Sequence, residues 1–261
     1  MSQDLLTEVR DRVLYVTINM PETKNAVTPG YMLRLAEVFA GARAMDEARA
    51  VVLTGAPGCF CAGAKLTPDA NAKFADASLE IRLKEGYHVA LKAIWNCPKP
   101  VIAAIDGPAV GIGGALALVC DLRLGSDRAR YGEVFRRIGL MSDGGGTFLL
   151  PRLVGLGRAL ELMWLGDIID ARTMLEFGLL NRLWSVDEFR ERVHDFAVKI
   201  AGGPPLAYAR MKEAVHRNAD TTLDHALNLE AEYQGILGDS KDFMEGVAAW
   251  LQKRPAEFKG E

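Results

Sequence analysis

The sequence predicts an α/β fold that ends in a purely helical region, and three observations carry that expectation. Apolar and polar residues alternate over residues 9–19, the spacing of a half-buried strand. Short uninterrupted apolar runs at 50–54 and 101–105 read as buried strands, with helical spacing between them. Beyond Gly202-Gly203-Pro204-Pro205 only helical patterns remain. The expected division is a mixed core over 1–201 and a helical region over 202–261.

Each element has a local reason. In the first strand pair Leu14, Val16 and Ile18 face one way and Val13, Tyr15, Thr17 and Asn19 the other, with Asp11-Arg12 suited to a hairpin turn. Residues 20–25 form a loop. Thr28 as N-cap and Pro29 in the first helical position open a helix that presents Met32, Leu35, Ala36, Val38 and Phe39 on one face. A turn-rich loop follows at 55–63. Residues 69–78 are polar and alanine-rich, the pattern of a mobile surface segment. Helical spacing over 79–96 (Ile81, Leu83, Tyr87, Ala90, Leu91, Ile94, Trp95) is stopped by Cys97-Pro98-Lys99-Pro100. The strand at 101–105 leads through a glycine-rich turn at 107–114 to a small-residue helix at 115–120. Helical pieces are expected at 148–153, 157–165 and 170–177, the last closed by Gly178. A short apolar segment at 179–184 and amphipathic helices at 186–200, 206–217, 222–237 and 241–253 complete the chain. No tandem repeat of fixed period is present.

Bulk properties narrow the function. The chain has 261 residues, enough to bury a large core. Its 49% hydrophobic and 25% charged composition is that of a globular protein. The net charge of −3 argues against nucleic acid, which favours a basic face. No apolar run approaches the roughly 20 residues that span a bilayer. The first residues lack a secretory pattern, so a cytoplasmic protein is expected. Cys59, Cys61, Cys97 and Cys120 have neither disulfide nor zinc spacing and read as small buried hydrophobes, and no metal is expected.

Three stretches could carry chemistry. Gly58 to Leu66 follows a strand, and Ala62, Gly63 and Ala64 would let a ligand approach the main chain. Gly111-Ile112-Gly113-Gly114 opens a helix and exposes N–H groups that suit an oxyanion or a phosphate equally; tight helix–sheet packing explains the glycines as well. The dinucleotide fingerprint fails, because Leu116 stands where its third glycine belongs. Asp143, between Ser142 and Gly144-Gly145-Gly146, is a turn residue or a proton carrier. His88 is expected on a helix surface or packed, and Glu133 as a solvated loop residue or a second acid.

Taken together these stretches resemble the enoyl-CoA hydratase/isomerase (crotonase) superfamily over nearly the whole chain. The similarity lies in Pro21 to Ala26, Val51 to Gly55, Phe60 to Leu66, Lys99 to Gly111, Cys120-Asp121, Gly144 to Thr147, Gly166 to Ala171 and Lys253 to Phe258. It implies a crotonase-like spiral of strand–strand–helix units with a C-terminal helical trimerisation region, as a homotrimer or dimer of trimers. It implies an acyl-CoA thioester substrate, with coenzyme A part of the substrate and no separate cofactor. The N–H groups of Ala64 and Ile112 would hold the thioester oxygen, beside Ala26, Ala62, Gly63, Lys65, Leu66, His88, Gly111 and Phe135. Lys24, with Phe258 and Lys259, could meet the phosphates and adenine of coenzyme A.

The departures from that pattern point to the reaction. Two glutamates of the hydratases fall on Ala115 and Phe135, neither of which moves a proton. Asp143 falls where many isomerases keep a lone acid, and residues 140–152 look most like the ring-1,2-epoxyphenylacetyl-CoA isomerases. Double-bond isomerisation through Asp143 is therefore expected. The alternatives are a dehalogenase or hydrolase with Asp143 as nucleophile and His88 as base, where those enzymes keep a tryptophan at Phe135; a hydratase; and a non-catalytic acyl-CoA binding protein. Residues 67–79 are expected to shape the acyl pocket.

Overall fold

The computed structural model describes residues 3–66 and 71–261. The chain opens with β1 (Leu5–Arg10) and β2 (Val13–Ile18), joined by Asp11 and Arg12 at φ 51° and 63°. These positive angles give the tight turn that matches the twist of a hairpin. In α1 (Pro29–Arg43) the Thr28 side chain accepts the Tyr31 N–H, and Pro29 fills the first position. Then come β3 (Ala50–Gly55), a 3-10 turn at Ala72–Phe74, α2 (Leu79–Arg82), a π turn at Leu83–Tyr87 and α3 (His88–Trp95). The central run is β4 (Val101–Ile105), β5 (Pro108–Val110), α4 (Ile112–Val119), β6 (Leu122–Ser126) and β7 (Arg130–Gly132). After a 3-10 turn at Val134–Ile138 follow α5 (Gly146–Val154), α6 (Leu156–Leu165), β8 (Ile168–Asp170), α7 (Ala171–Glu176), β9 (Arg182–Trp184) and α8 (Val186–Ala201). The C-terminal helices are α9 (Pro205–Arg217), α10 (Leu223–Gly238) and α11 (Lys241–Gln252). Among the described residues no helix is long and apolar enough to cross a membrane.

Six strands form the main sheet in the order β1-β2-β3-β4-β6-β9; β1 and β2 are antiparallel and the other pairs parallel. A smaller sheet, β5-β7-β8, lies beside it. The two-residue period of the strands divides the core between two faces. Leu14, Val16, Ile18, Val51, Leu53, Val101, Ala103 and Ile105 pack against α1, α3 and α4. Val13, Ala50, Val52, Ile102, Ala104 and Leu124 pack against Phe189, Val193, Ala197 and Ala201 of α8. The predicted alternation in β2 is thus realised, and Tyr15, on the α8 side, shares a 2.7 Å hydrogen bond with His194 Nδ1.

Three expectations change. The helix placed at 115–120 begins at Ile112, because Gly111 turns the chain at φ 55° and its carbonyl accepts the Ala115 N–H. The helix at 79–96 contains a π turn, where Gly86 meets α1: a Cβ there would lie 2.5 Å from the Pro29 Cβ. Of the segment expected to be mobile at 69–78, residues 69 and 70 lie outside the described residues. The remainder is anchored by Phe74, which is fully buried and reaches Gly86. The residues around Phe74 are mostly exposed, as a surface segment would be.

Leu53 lies in the core between the main sheet and α1, α3 and α4 and has no exposed surface. Leu53→Ala should lower the unfolding free energy by about 2–5 kcal/mol in urea denaturation. A loss below about 1 kcal/mol would contradict the packing described.

Candidate active site

The loop after β3 is held from two sides by backbone bonds. Cys61 N–H donates to Pro108 O (2.9 Å), and Val110 N–H to Cys61 O (3.0 Å). Ala62 N–H donates to Lys24 O (3.0 Å), Val27 N–H to Gly63 O (2.9 Å) and Lys65 N–H to Val27 O (2.8 Å). The Ala64 N–H between them has no acceptor among the described residues. Gly63 sits at φ 109°, a conformation that favours glycine, and a Cβ there would lie 2.9 Å from Val110 O.

The second turn meets the first directly. A Cβ on Gly113 would lie 2.1 Å from Cys61 O, and one on Gly114 2.9 Å from the Tyr131 ring. Both readings of this glycine turn therefore hold: its glycines permit close packing, and its helix start leaves N–H groups free. Ile112 N–H, in the first position of α4, has no acceptor among the described residues. Two unpaired donors thus stand on adjoining turns, and a site of this kind attracts an oxyanion.

The third turn rests on the second. Gly144 and Gly145 have φ of 60° and 87°, and Gly146 N–H donates to Asp143 O (2.9 Å). A Cβ on Gly144 would lie 2.6 Å from the Ala115 Cβ and 2.8 Å from Ile112 Cδ1. The Ile112 side chain is thus a prop for the turn that carries Asp143. Asp143 is half-buried; its Oδ1 is sealed from solvent without a partner among the described residues, which leaves Oδ2 as the open face. Burial pushes its pKa from 3.8 up to about 6.

Glu133 corrects an expectation. It is 1% exposed, not a solvated loop residue. Its Oε1 accepts the Tyr131 hydroxyl, and burial raises its pKa. A sequence signal existed: at two-residue spacing, Glu133 points the same way as the core residue Tyr131.

A cavity of about 450 Å³ adjoins Gly144 and Gly145. Its wall includes His88, Leu91, Trp95, Phe148 and His216. Trp95 and His216 stack with centroids 3.7 Å apart and planes at 9°, and Phe148 meets Trp95 edge-on. His88 is half-buried against this cavity; burial, then Lys92 and Lys84, lower its pKa. The helix-surface expectation for His88 thus gives way to a wall position. Trp95, Phe148 and His216 were not singled out from the sequence, because 121 positions separate the stacked pair. His216 comes from α9, which Lys212 ties to the core through a 2.8 Å ion pair with Asp121.

The remaining predicted positions divide. Phe135 is half-buried, its ring tip 3.8 Å from where a Gly111 Cβ would stand. Ala26 and Lys65 line a cavity of about 580 Å³ with Met20, Thr28 and Arg34. Lys24 is exposed at the rim of that loop, and Leu66 is 80% exposed. Phe258 and Lys259 are not brought to these loops. The Phe258 ring lies against Gly246 of α11, its carbonyl accepts from Arg49, and Lys259 N–H donates to Asp242. Among the described residues no cluster of His, Cys, Asp and Glu could hold a metal ion.

Comparison with known proteins agrees with this geometry. The family model described as enoyl-CoA hydratase/isomerase matches residues 8–261. A probable enoyl-CoA hydratase of Rhodobacter capsulatus is 39% identical over 97% of this chain and 96% of its own. The 1,2-epoxyphenylacetyl-CoA isomerase of Escherichia coli is 33% identical over the full length of both. The crystal structure of an enoyl-CoA hydratase from Bacillus anthracis superposes with a TM-score of 0.92 at 30% identity, covering 99% of this chain and all of that one. The chain belongs to the enoyl-CoA hydratase/isomerase family, and its fold is the crotonase fold.

Proposed function

We propose that this family member is an enoyl-CoA isomerase that moves a double bond by proton transfer through Asp143. The single observation that carries this reading is the Asp143 turn seated on α4: one carboxyl with an open oxygen stands on the turn that packs against the Ile112 and Ala115 side chains, and positions 115 and 135 hold alanine and phenylalanine. The thioester oxygen of a 3-enoyl-CoA accepts from Ala64 and Ile112 N–H. Asp143 Oδ2 takes the proton from the carbon next to the thioester, and that C–H electron pair forms a dienolate. The same proton then returns to the fourth carbon, leaving the double bond between carbons two and three. Each backbone donor on the developing oxyanion is worth about 3–4 kcal/mol. Ala26, Ala62, Gly63, Lys65, Leu66 and Gly111 flank the thioester, and Lys24 reaches toward the coenzyme A phosphates. The cavity beside Gly145 receives the acyl group, with His88 and the Trp95–His216 stack in its wall. Phe258 and Lys259 can join the coenzyme A site only from elsewhere in an assembly.

The hydratase names among the relatives define the competing reading. Hydration needs groups that hold and activate water, and the family resemblance places those groups at Ala115 and Phe135. Asp143→Asn should lower kcat for 3-enoyl to 2-enoyl conversion by about 10²–10⁴-fold with little change in KM. Turnover within tenfold of wild type would sink the role of Asp143. A higher hydration rate than isomerisation rate on the same acyl chain would favour the hydratase reading.

The pH profile follows from the protonation state. The base form of Asp143 is the carboxylate, so kcat/KM falls as pH drops through its pKa. The acid limb should lie above the ordinary 3.8 and no higher than about 6. A limb at the ordinary value would contradict the burial of this side chain.

His88 in the same cavity wall supports one second reading, in which an Asp143 oxygen attacks the halogen-bearing carbon of a halogenated acyl-CoA, the carbon–halogen bond breaks with loss of halide, and His88 takes a proton from the water that then hydrolyses the ester. That chemistry leaves a covalent adduct on Asp143, visible as a mass increase after rapid quenching. The isomerase reading predicts none. The helical region exposes Phe243, Met244, Trp250 and Leu251 on α11, which supports assembly into a trimer or a dimer of trimers. Sedimentation should give the mass of three or six chains.

A further inference from the structure

Four buried side-chain polar atoms lack a hydrogen-bond partner among the described residues, and three of them cluster: Glu133 Oε2, Ser142 Oγ and Asp143 Oδ1. Buried polar groups are normally paired, so three orphans in one place call for a shared cause. Glu133 is 1% exposed and Ser142 6%. The Glu133 carboxyl is pressed against the start of α5, where a Cβ on Gly146 would lie 3.4 Å from Oε2 and 3.5 Å from Oε1. From β7 it faces the Tyr131 hydroxyl, which donates to Oε1, and from the turn before α5 it faces Ser142 and Asp143. No cation figures among the groups that act on it.

The protonation state of Glu133 decides whether this cluster can be satisfied. If Glu133 is ionised, a Ser142 hydroxyl that donates to it leaves Asp143 Oδ1 without a donor, and two like charges are buried together. If Glu133 is protonated, its O–H donates to Ser142 Oγ, and the Ser142 hydroxyl is free to donate to Asp143 Oδ1. One proton then satisfies all three atoms. We propose that Glu133 is a positioning residue for Asp143, holding one proton and donating through the Ser142 hydroxyl, directly or across a bridging water, to Asp143 Oδ1. Burial raises the Glu133 pKa; the Tyr131 and nearby Ser142 hydroxyls oppose that, and the Asp143 charge adds to it. The arrangement locks the Asp143 carboxylate at Oδ1 and leaves Oδ2 for substrate. It also works against burial, holding the Asp143 pKa below the value that burial alone would set. The proposal rests on reading Asp143 as the base.

The test is a titration of carboxyl carbons by ¹³C NMR in the full-length protein labelled at Asp and Glu, between pH ~4 and ~9. In wild type Glu133 should remain protonated at pH ~7 while Asp143 is ionised. Ser142→Ala removes the donor to Oδ1 and should raise the Asp143 midpoint by about one pH unit. Glu133→Gln keeps an N–H toward Ser142 and an oxygen toward Tyr131, and should leave the Asp143 midpoint at its wild-type value. An ionised Glu133 at neutral pH in wild type would overturn the proposal, as would an unchanged Asp143 midpoint in Ser142→Ala or a raised one in Glu133→Gln. The titration needs no turnover. Failure of the isomerase reading would appear as absent double-bond migration, and failure of this proposal in the midpoints alone.

Discussion

The site depends on the close approach of three backbone turns. The Cys61 carbonyl occupies the space that any side chain on Gly113 would need, at 2.1 Å, and Gly144 rests on Ala115 and Ile112 in the same manner. Below about 3 Å a Cβ cannot be accommodated unless the backbone moves, so glycine is required at both contacts. The consequence is chemical as well as steric. The Ala64 and Ile112 N–H groups are fixed before any ligand arrives, and fixed donors cost no reorganisation when charge develops on an oxyanion.

The same contact bears on which acids the site can hold. Ala115 is buried, and its Cβ would meet a Cβ on Gly144 at 2.6 Å. A longer side chain at 115 would push into the turn that carries Asp143. Phe135 adds to the effect by covering Gly111 with an apolar ring where a second carboxyl could have stood. The proposed isomerase reading uses this one open carboxyl in a partly dehydrated place, where hydration would need two that share a water.

Most of the fold was legible because period and punctuation agreed. The strand at 101–105 had the bounds expected of it, and the Thr28-Pro29 start of α1 and the hairpin at Asp11-Arg12 were readable from residue chemistry alone. Short-range signals failed where a long-range contact decided the outcome. Phe74 is anchored through Gly86, and His216 joins the cavity by stacking on Trp95 from a helix far along the chain. Glu133 was misread because loop glutamates are usually solvated. Its register with Tyr131 held the contrary information. Asp143 was legible as a position, but its environment was not: the unsatisfied Oδ1 depends on Ser142 and Glu133 folding beneath it.

With Asp143 as the proposed base, its burial sets two requirements against each other. Desolvation makes the carboxylate a stronger base, which brings it closer to the acidity of a carbon beside a thioester. Too much desolvation would leave it protonated and idle at neutral pH. A pKa that rises to about 6 still leaves the ionised form dominant near pH 7, so the gain in base strength is kept with little loss of active enzyme. In the proposed reaction the Ala64 and Ile112 N–H groups approach the same barrier from the other side, by lowering the energy of the dienolate. Because the donor turn and the base turn touch through Ile112 and Gly144, a shift in one displaces the other. On the proposed reading Ile112 contributes to both halves of the site, its N–H to the oxyanion and its side chain to the placement of the Asp143 turn.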